Sequence, residues 1–346
     1  MENKLGIVVF ANDSGLGAQT RRLTYALRPN RILAIDSSKF SKVKKQNFDW
    51  YANFSGYKVG GFPTDREVNV FLKGLTHVLV CENPLNFNLL TEAKKLGIKV
   101  YIQSNYEFCD HLDKDITLPH KFLMPSYWKV KEMKKRFGDD LVQYLPPPID
   151  PREFSKARSK NFNREGRRKY LHIIGNLAVN DRNGTLDLFD SLKYTDSVFD
   201  LVIKSQHRLP DEYIFRDSRV SYLIGNEPDQ RKLYEGFDAL ILPRRYGGLS
   251  LTTNEALMSG LPVIMPDISP NNKLLPSHWL VEASKKMQFK TRTMIDVYQT
   301  DAKKLAEKID WLGRSVIEHE KIIAFGLGHD NFSETSLIPE YNNLWT

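Results

Sequence analysis

The stretch Pro243-Arg-Arg-Tyr-Gly-Gly-Leu-Ser-Leu-Thr-Thr-Asn-Glu-Ala-Leu-Met-Ser-Gly-Leu-Pro-Val-Ile-Met265 decides the fold class, because it contains a loop, a helix and a strand in direct succession. An apolar run at 239–242 precedes it, and Gly247 and Gly248 permit a tight turn. The helix is expected to end at Gly260, after which Pro262-Val-Ile-Met265 begins a strand. This order predicts one repeat of a parallel α/β sheet.

The turn between strand and helix is also a candidate ligand site. A phosphate there would meet free backbone amides and the positive end of the helix dipole, so we expect donor contacts from Gly247, Gly248, Leu249 and Ser250. Glu255, on the helix, would accept hydrogen bonds from ribose hydroxyls. The alternative is an ordinary strand-loop-helix unit with a surface glutamate, since glycine turns at such junctions are common.

Apolar runs alternate with amphipathic stretches on both sides of residue 150, which predicts two doubly wound parallel sheets. A chain of 346 residues is too long for one core and fits two such domains. In open sheets of this kind, ligands bind at the carboxyl ends of the strands, so two facing domains would share a cleft. We predict strands at 5–11, 31–36, 75–81, 98–103 and 122–125, and then at 170–175, 200–205, 220–225, 239–242 and 263–265.

The segment Leu145-Pro-Pro-Pro-Ile-Asp-Pro151 marks the expected domain boundary, because its prolines cannot continue a helix or a central strand. The charged, apolar-poor residues that follow are likewise not expected to continue either element. We therefore predict an N-terminal Rossmann-like domain over 1–150, a basic linker over 151–164 and a C-terminal Rossmann-like domain over 165–325. Residues 326–346 are expected to pack back on the first domain.

The composition bounds the protein class. Two cysteines, Cys81 and Cys109, are too few for a disulfide scaffold and fit a reducing cytoplasm. The first apolar run lacks a signal-peptide cleavage pattern, and no later run approaches the ~20 apolar residues of a membrane span, so a soluble protein is expected. The net charge of +8 is concentrated at 39–45, 129–136 and 152–169, which favours an anionic partner or, alternatively, forms solvated faces.

Several short motifs make the chain similar to the two-domain GT-B glycosyltransferases, and in particular to the retaining enzymes of glycosyltransferase family four. In the C-terminal half they are Leu171-His-Ile-Ile-Gly-Asn176, Asp181-Arg-Asn-Gly184, Leu201-Val-Ile-Lys204, Ile224-Gly225, Leu233-Tyr234, Asp238, Glu255-Ala256 and Gly260-Leu-Pro-Val263. In the N-terminal half, Phe122-Leu-Met-Pro-Ser126, Pro146-Pro-Pro-Ile-Asp150 and Phe154 resemble the approach to the interdomain linker less specifically. The resemblance implies a GT-B fold and transfer of a sugar from a nucleotide donor, with UDP-glucose the commonest.

The chain departs from the family pattern at its charged positions. The family signature is Glu-x7-Glu; with Glu255 as the second member, Gly247 stands at the first, where the resemblance implies a sugar-hydroxyl contact. The family's phosphate-binding arginine and lysine fall on Asn176 and Asn183. We therefore assign the diphosphate to Arg182 and Lys204 in preference to Arg244 or Arg245, because a leaving nucleotide requires cations near its phosphates. The base of the nucleotide would lie near Gly225.

The N-terminal half supplies the other expected site residues. Gly15 and Gly17 follow the first strand and would let the backbone approach phosphate or sugar, although a plain glycine turn is the alternative. The resemblance implies that residues after the strand at 98–103 face the reacting sugar. Asn105 and Glu107 would then orient hydroxyls, with Glu107 as a base, unless they only cap the next helix. Asp113-Lys-Asp115 looks like a metal site but lacks the strand context, so no metal or other cofactor is expected.

The acceptor stays open at this stage. A basic enzyme of this class would fit DNA carrying hydroxymethylated bases, a protein, or a lipid-linked or cell-surface glycan. For a glycan at a membrane, residues 129–136 would dock on anionic lipid with Trp128 at the interface. Two other classes compete with transfer: a nucleotide-sugar epimerase, and a non-catalytic nucleotide-sugar-binding module.

Overall fold

Parallel strands alternate with helices through most of the computed structural model, which describes residues 3–39, 45–175, 177–227 and 229–346. The chain forms two compact units. The first consists of Met1–Ile149, Thr291–Thr293 and Glu334–Thr346, and the second of Asp150–Lys290 and Met294–Ser333. None of the described helices has both the length and the apolar character needed to cross a membrane.

The first unit contains a seven-stranded sheet in the order β3-β2-β1-β4-β5-β6-β7, and each neighbouring pair is parallel. All six residues of β1 are buried, as expected for a strand covered on both faces. The strands are β1 (Leu5–Phe10), β2 (Arg31–Ile35), β3 (Gly56–Val59), β4 (His77–Cys81), β5 (Lys99–Gln103), β6 (Lys121–Met124) and β7 (Val142–Tyr144). The helices between them are α1 (Gly15–Leu27), α2 (Asp65–Leu72), α3 (Asn88–Lys95) and α4 (Val130–Phe137).

The second unit contains a six-stranded sheet in the order β10-β9-β8-β11-β12-β13, again with parallel neighbours, and an antiparallel hairpin. The sheet strands are β8 (Arg168–Gly175), β9 (Phe199–Ser205), β10 (Val220–Ile224), β11 (Ala239–Ile241), β12 (Val263–Pro266) and β13 (Leu280–Val281). The hairpin strands are β14 (Ala283–Lys290) and β15 (Met294–Thr300). The helices are α5 (Ser155–Phe162), α6 (Thr185–Leu192), α7 (Leu251–Met258), α8 (Asn271–Leu274), α9 (Ala302–Arg314) and α10 (Ile317–Phe332).

The last helix, α11 (Glu334–Asn343), completes the core of the first unit. Tyr341 on this helix is fully buried; its hydroxyl accepts from Gln103 Nε2 at 2.7 Å and donates to the Pro146 carbonyl at 3.0 Å. The Tyr101 hydroxyl donates to the Leu344 carbonyl at 2.6 Å. Strand β5 is thus tied by side chains to the end of the chain.

The two parallel sheets predicted from the sequence are confirmed, but the structure contains elements that the apolar runs did not indicate. Strands β3, β7 and β13 and the β14–β15 hairpin were not predicted. Helix α5 lies in the charged stretch after Pro151, which was not expected to continue a helix. Its Asn161 is fully buried and accepts from the backbone amide of Gly236 at 2.7 Å, so a polar contact joins this helix to the rest of the second unit.

Candidate functional site

The loop between β11 and α7 carries four of the eight predicted donor contacts in the second unit. Gly247 has φ +106°, a conformation that favours glycine. Ser250 is the N-cap of α7, and its hydroxyl accepts from the amide of Thr253 at 3.3 Å. The loop follows the carboxyl end of β11, which is the edge where open α/β sheets bind ligands.

Glu255 lies on α7 with only 6% of its surface exposed. The hydroxyl of Tyr234 donates to its Oε2 at 2.5 Å, and Tyr234 is itself buried with its ring edge against Phe154. A carboxylate fixed by a buried phenol has one orientation, which suits recognition of a hydroxyl pair. Tyr234 belongs to the motif Leu233-Tyr234, but its role in orienting Glu255 was not predicted.

The adjacent arginines of the loop point in different directions. Arg245 makes a two-pronged ion pair with Asp187 on α6, with Nε–Oδ2 at 3.0 Å and Nη2–Oδ1 at 2.5 Å. Arg244 instead folds back on its own loop, where its Nε donates to the Tyr246 carbonyl at 3.0 Å and its Nη2 to the Leu249 carbonyl at 3.1 Å. Arg245 therefore joins two elements, whereas Arg244 braces the glycine turn.

Arg182 approaches the same loop from the segment that precedes α6. The Arg245 amide donates to the Arg182 carbonyl at 2.8 Å, which joins the two segments through their backbones. The guanidinium group of Arg182 lies over the ring of Tyr246, 5.4 Å from its centroid, and against Gly247. The structure thus brings together Arg182, Gly247 and Arg244, the last of which the sequence analysis ranked lower.

Lys204, the other predicted phosphate ligand, has different surroundings. Its ammonium group donates to the Leu233 carbonyl at 2.8 Å and lies 5.3 Å from the centroid of Phe237. Burial lowers the pKa of Lys204 to about 8. Gly225 follows β10 with φ +128°. Of the two family phosphate positions, Asn183 donates to the carbonyls of Ile173 and Ile174, while Asn176 lies outside the described residues.

In the first unit, the predicted glycine loop is shaped by its own hydrogen bonds. Asn12 Oδ1 accepts from the amide of Ser14 at 3.0 Å, and Ser14 caps α1 by accepting from the amide of Gly17 at 3.1 Å. A Cβ atom on Gly17 would overlap the Asn12 carbonyl oxygen. Glycine is therefore required at 17 by the turn itself, while Gly15 is the first residue of α1.

The other predicted residues of the first unit follow β5. Asn105 Nδ2 donates to Glu82 Oε1 at 3.0 Å, and Glu82 follows β4 with φ +64°. Glu107 lies in the short 3₁₀ helix Tyr106–Phe108 and is 5% exposed. Glu82 was not among the predicted site residues, although its position directly after the predicted strand at 75–81 was a usable signal.

The basic stretches divide into exposed and internally bound residues. At the amino end of β8, Arg167 is exposed although its Nη2 donates to the Phe199 carbonyl at 2.6 Å, and the half-buried Arg168 donates through Nη2 to the Ser315 carbonyl at 3.3 Å. On α4 the side chains of Lys131, Lys135 and Arg136 are exposed. Most of the predicted cluster at 39–45 lies outside the described residues.

Trp128 does not have the exposure that an interfacial anchor needs. It is 6% exposed and packs edge-on against Tyr106, with centroids 5.8 Å apart. The expectation of Trp128 at a membrane interface is therefore wrong, because its side chain is buried within the first unit. His111 is also buried, with its ring edge against Phe122 at 5.1 Å.

Among the residues that the structure describes, no group of three His, Cys, Asp or Glu side chains is close enough to hold a metal ion. Cys81 and Cys109 are both buried thiols, and burial raises their pKa values. These thiols are therefore poor nucleophiles at neutral pH.

Comparison with solved structures identifies the architecture as the GT-B fold. A glycosyltransferase from Rickettsia africae superposes with a TM-score of 0.72 at 13% identity, over 99% of this chain and 98% of that one. HepE from Anabaena, solved with UDP and glucose, gives 0.67 at 10% identity, over 99% of both chains. Sucrose-phosphate synthase from Thermosynechococcus elongatus gives 0.67 at 11% identity, over 99% and 98%.

Sequence comparison gives no match, either to a family model or to a curated protein. At 10–13% identity the structural matches define the fold. The predicted GT-B fold is thus confirmed.

Proposed function

We propose that this protein is a glycosyltransferase that moves a sugar from a nucleotide-sugar donor to an acceptor hydroxyl. The observation that carries the proposal is the buried Glu255, oriented by Tyr234, on the helix that follows the Gly247–Gly248 turn of a GT-B fold. The full-length similarity to HepE, which was solved with UDP and with UDP-glucose, supports a UDP-sugar as donor.

The donor is assigned to the second unit. Glu255 would hold the ribose hydroxyls, the base would lie near Gly225, and the diphosphate would face Arg182 and the amides before α7. Lys204 stays in the proposal as the second cation, and its ammonium group donates to the Leu233 carbonyl. These protein cations supply the positive charge for the leaving diphosphate, so the transfer is proposed to need no metal ion.

The reaction is proposed to retain the configuration at the anomeric carbon. The bond from that carbon to the diphosphate oxygen breaks, a bond to the acceptor oxygen forms on the same face, and Glu107 takes up the acceptor proton as the base. In the first unit Asn105 and Glu107 are assigned to the hydroxyls, with Glu82 holding the Asn105 amide. The rate acceleration is proposed to come mainly from positioning and electrostatic stabilisation. Glucose is the proposed sugar.

The acceptor is proposed to be an anionic molecule handled in the cytoplasm. The exposed basic side chains of α4 and the exposed Arg167 favour such a partner, whereas Arg168 is half-buried and donates to the Ser315 carbonyl. DNA with hydroxymethylated bases is the first acceptor to test. The other candidate acceptors are lipid-linked glycans, cell-surface glycans and proteins.

Nucleoside-diphosphate release from a panel of nucleotide sugars, with and without each acceptor and with a chelator, tests the proposal. We expect release that depends on one acceptor and is unchanged by the chelator. Glu255→Ala should weaken donor binding by about tenfold or more, because charged hydrogen bonds to a ligand are lost. Glu318→Ala, an exposed glutamate on α10, is the matched control.

The same assay separates the competing functions. Conversion of the donor to its epimer without release would establish an epimerase. Donor binding with neither release nor conversion would establish a binding module. A Glu255→Ala protein with wild-type donor affinity would refute the site assignment.

A further inference from the structure

Strand β10 is one edge of the six-stranded sheet, and much of its outer side is exposed. On its inner side it pairs with β9 in an unbroken parallel register, and the amide of Gly225, just after the strand, donates to the Ser205 carbonyl at 2.9 Å. Backbone groups that face a neighbouring strand recur at every second residue. The amides and carbonyls of Tyr222 and Ile224 therefore point away from β9.

These outward backbone groups of Tyr222 and Ile224 are available to a further strand. Within the parts of the chain that the structure describes, no backbone or side-chain group bonds to them. The neighbouring side chains are apolar and accessible, with Leu223 54% and Ile224 49% exposed. An unpaired edge with exposed apolar side chains is a template for strand addition.

The other edges of the two parallel sheets carry features that protect an edge strand from pairing. Strand β3 has the exposed Lys58 among its four residues, while β7 has three residues and β13 has two. Strand β10 has five residues and contains neither lysine nor proline, and its register with β9 has no bulge. An edge of this length without such protection indicates that another strand covers it.

A pocket of about 340 Å³ lies on the face of the sheet beside this edge. Its apolar lining comes from Val202 of β9, Leu223 of β10 and Phe237. A strand added to β10 would place alternate side chains on this same face, because opposite residues of paired strands point to one side. Strand addition would thus bury apolar surface in addition to forming hydrogen bonds.

A second copy of the chain supplies a strand that fits this edge. We propose that β10 pairs antiparallel with β10 of a second copy, with the two-fold axis at Leu223. In this register Leu223 lies opposite Leu223 of the second copy, and Tyr222 exchanges both N–H···O bonds with Ile224 of the second copy. The exposed leucine side chains thus meet across the axis.

The charges at the ends of β10 favour this register. It brings Arg219 of one copy towards Glu227 of the other, whereas an axis at Tyr222 would bring Asp217 towards Glu227 and oppose like charges. Arg219 keeps its ion pair with Asp217 at 2.7 Å, so the contact selects the register more than it adds affinity. The strand is therefore complementary to itself, and the inference is independent of the proposed sugar transfer.

Sedimentation velocity of the full chain at roughly 1–200 µM measures the association. A single strand pair is smaller than the interface of an obligate dimer, so we expect a monomer–dimer equilibrium with a dissociation constant on the order of 10 µM. Ile224→Lys puts a charge on the edge and should weaken dimerisation by about tenfold or more. Ile322→Lys, at an isoleucine 61% exposed on α10, is the matched control.

Oxidative cross-linking tests the register. Leu223→Cys places two thiols in a directly opposed pair with Cα atoms roughly 4.5 Å apart, which a disulfide can span. Ser221→Cys, exposed on the same face, leaves its two thiols roughly 14 Å apart along the paired strands, which is too far. We expect Leu223→Cys to be trapped as a covalent dimer and Ser221→Cys to stay at the wild-type background, since the native Cys81 and Cys109 are buried.

A protein that is monomeric at every concentration would overturn the pairing, as would wild-type dimerisation of the Ile224→Lys variant. Equal cross-linking of the Ser221→Cys and Leu223→Cys variants would overturn the register. Dimerisation that Ile224→Lys weakens, that Ile322→Lys leaves within about twofold of wild type and that Leu223→Cys traps would establish both.

Discussion

A methyl group on Gly17 would overlap the carbonyl oxygen of Asn12, because the first turn of α1 packs directly on the chain leaving β1. We predict that Gly17→Ala lowers the free energy of unfolding by about 1–3 kcal/mol, since rigid backbone must move to admit the methyl group. Thermal and denaturant unfolding measure the change.

Gly326 on α10 is the matched control for this prediction. A Cβ atom there meets nothing within 4 Å, so Gly326→Ala should stabilise the protein by about 0.5–1 kcal/mol through helix propensity. Equal stability of the Gly17→Ala and wild-type proteins would show that the turn can relax, which contradicts the packing described for α1.

The arginines show which parts of the site a sequence can indicate. Glycines before a helix and a glutamate on that helix follow a recognisable spacing. The loop at 247–250 and Glu255 were therefore predicted as site residues from the sequence. The directions of the Arg244 and Arg245 side chains could not be predicted from the sequence. The backbone after them turns through Gly247 at φ +106°, so neither helix nor strand periodicity applies there. Only the folded loop shows that one arginine meets Asp187 and its neighbour meets Gly247.

At the scale of elements, His172 links β8 to β11 and α6. Its Nδ1 lies 2.8 Å from the Ile241 carbonyl oxygen and therefore donates, which leaves Nε2 to accept from the Thr185 hydroxyl at 2.9 Å. Burial lowers the pKa of His172 to about 4. The side chain is thus neutral at pH 7.

The low pKa predicts a pH-dependent stability with a definite sign. In the unfolded chain His172 takes up a proton below about pH 6.5, whereas in the folded protein it does so only below about pH 4. The free energy of unfolding therefore falls as the pH drops through this window. Over it the free energy of unfolding of wild type should fall by roughly 3 kcal/mol relative to His172→Gln. Denaturant titrations at several pH values measure the difference.

A matched control lies on an exposed loop of the same unit. His207→Gln makes the same substitution at an exposed side chain and serves as the reference for the His172→Gln profile. A His172→Gln profile that runs parallel to wild type would contradict the assignment of a buried neutral imidazole.

Elements that bury a run of apolar side chains were predicted from the sequence, whereas elements that are held by polar contacts or are largely exposed were not. Strand β1 consists entirely of buried apolar residues and glycine, so its run was visible. Helix α5 buries only Ala157 and Asn161, and the Asn161 side chain accepts from the Gly236 amide, so the helix has no apolar stripe to detect. Most of β14 is exposed, and the predominantly polar sequence of that strand resembles a loop.

At the scale of the molecule, the stability of the first unit is expected to depend on α11. Tyr341→Phe removes the two hydrogen bonds to Gln103 and Pro146 and should cost about 1–3 kcal/mol, whereas Tyr341→Ala also leaves a cavity and should cost about 3–5 kcal/mol. Denaturant unfolding, with limited proteolysis to identify the affected unit, measures both. Tyr57→Phe, at a side chain 42% exposed in the same unit, is the control.

Proteolytic cuts should appear first in the first unit of the Tyr341→Ala protein. Loss of resistance only in the second unit would contradict the placement of α11. Residues 326–346 were expected to return to the first domain, whereas 326–332 are part of α10 and Ser333 also belongs to the second unit.

The return of Glu334–Thr346 to the first unit has a consequence for synthesis on the ribosome. The strands up to Ile149 emerge long before the helix that covers their core, because the whole second unit is translated in between. At roughly 5–20 residues per second, this interval is on the order of ten seconds to half a minute. During that time the groove that will receive Tyr341 is open to chaperones and to misassembly, so the nascent first unit reaches its final stability only when translation has delivered α11.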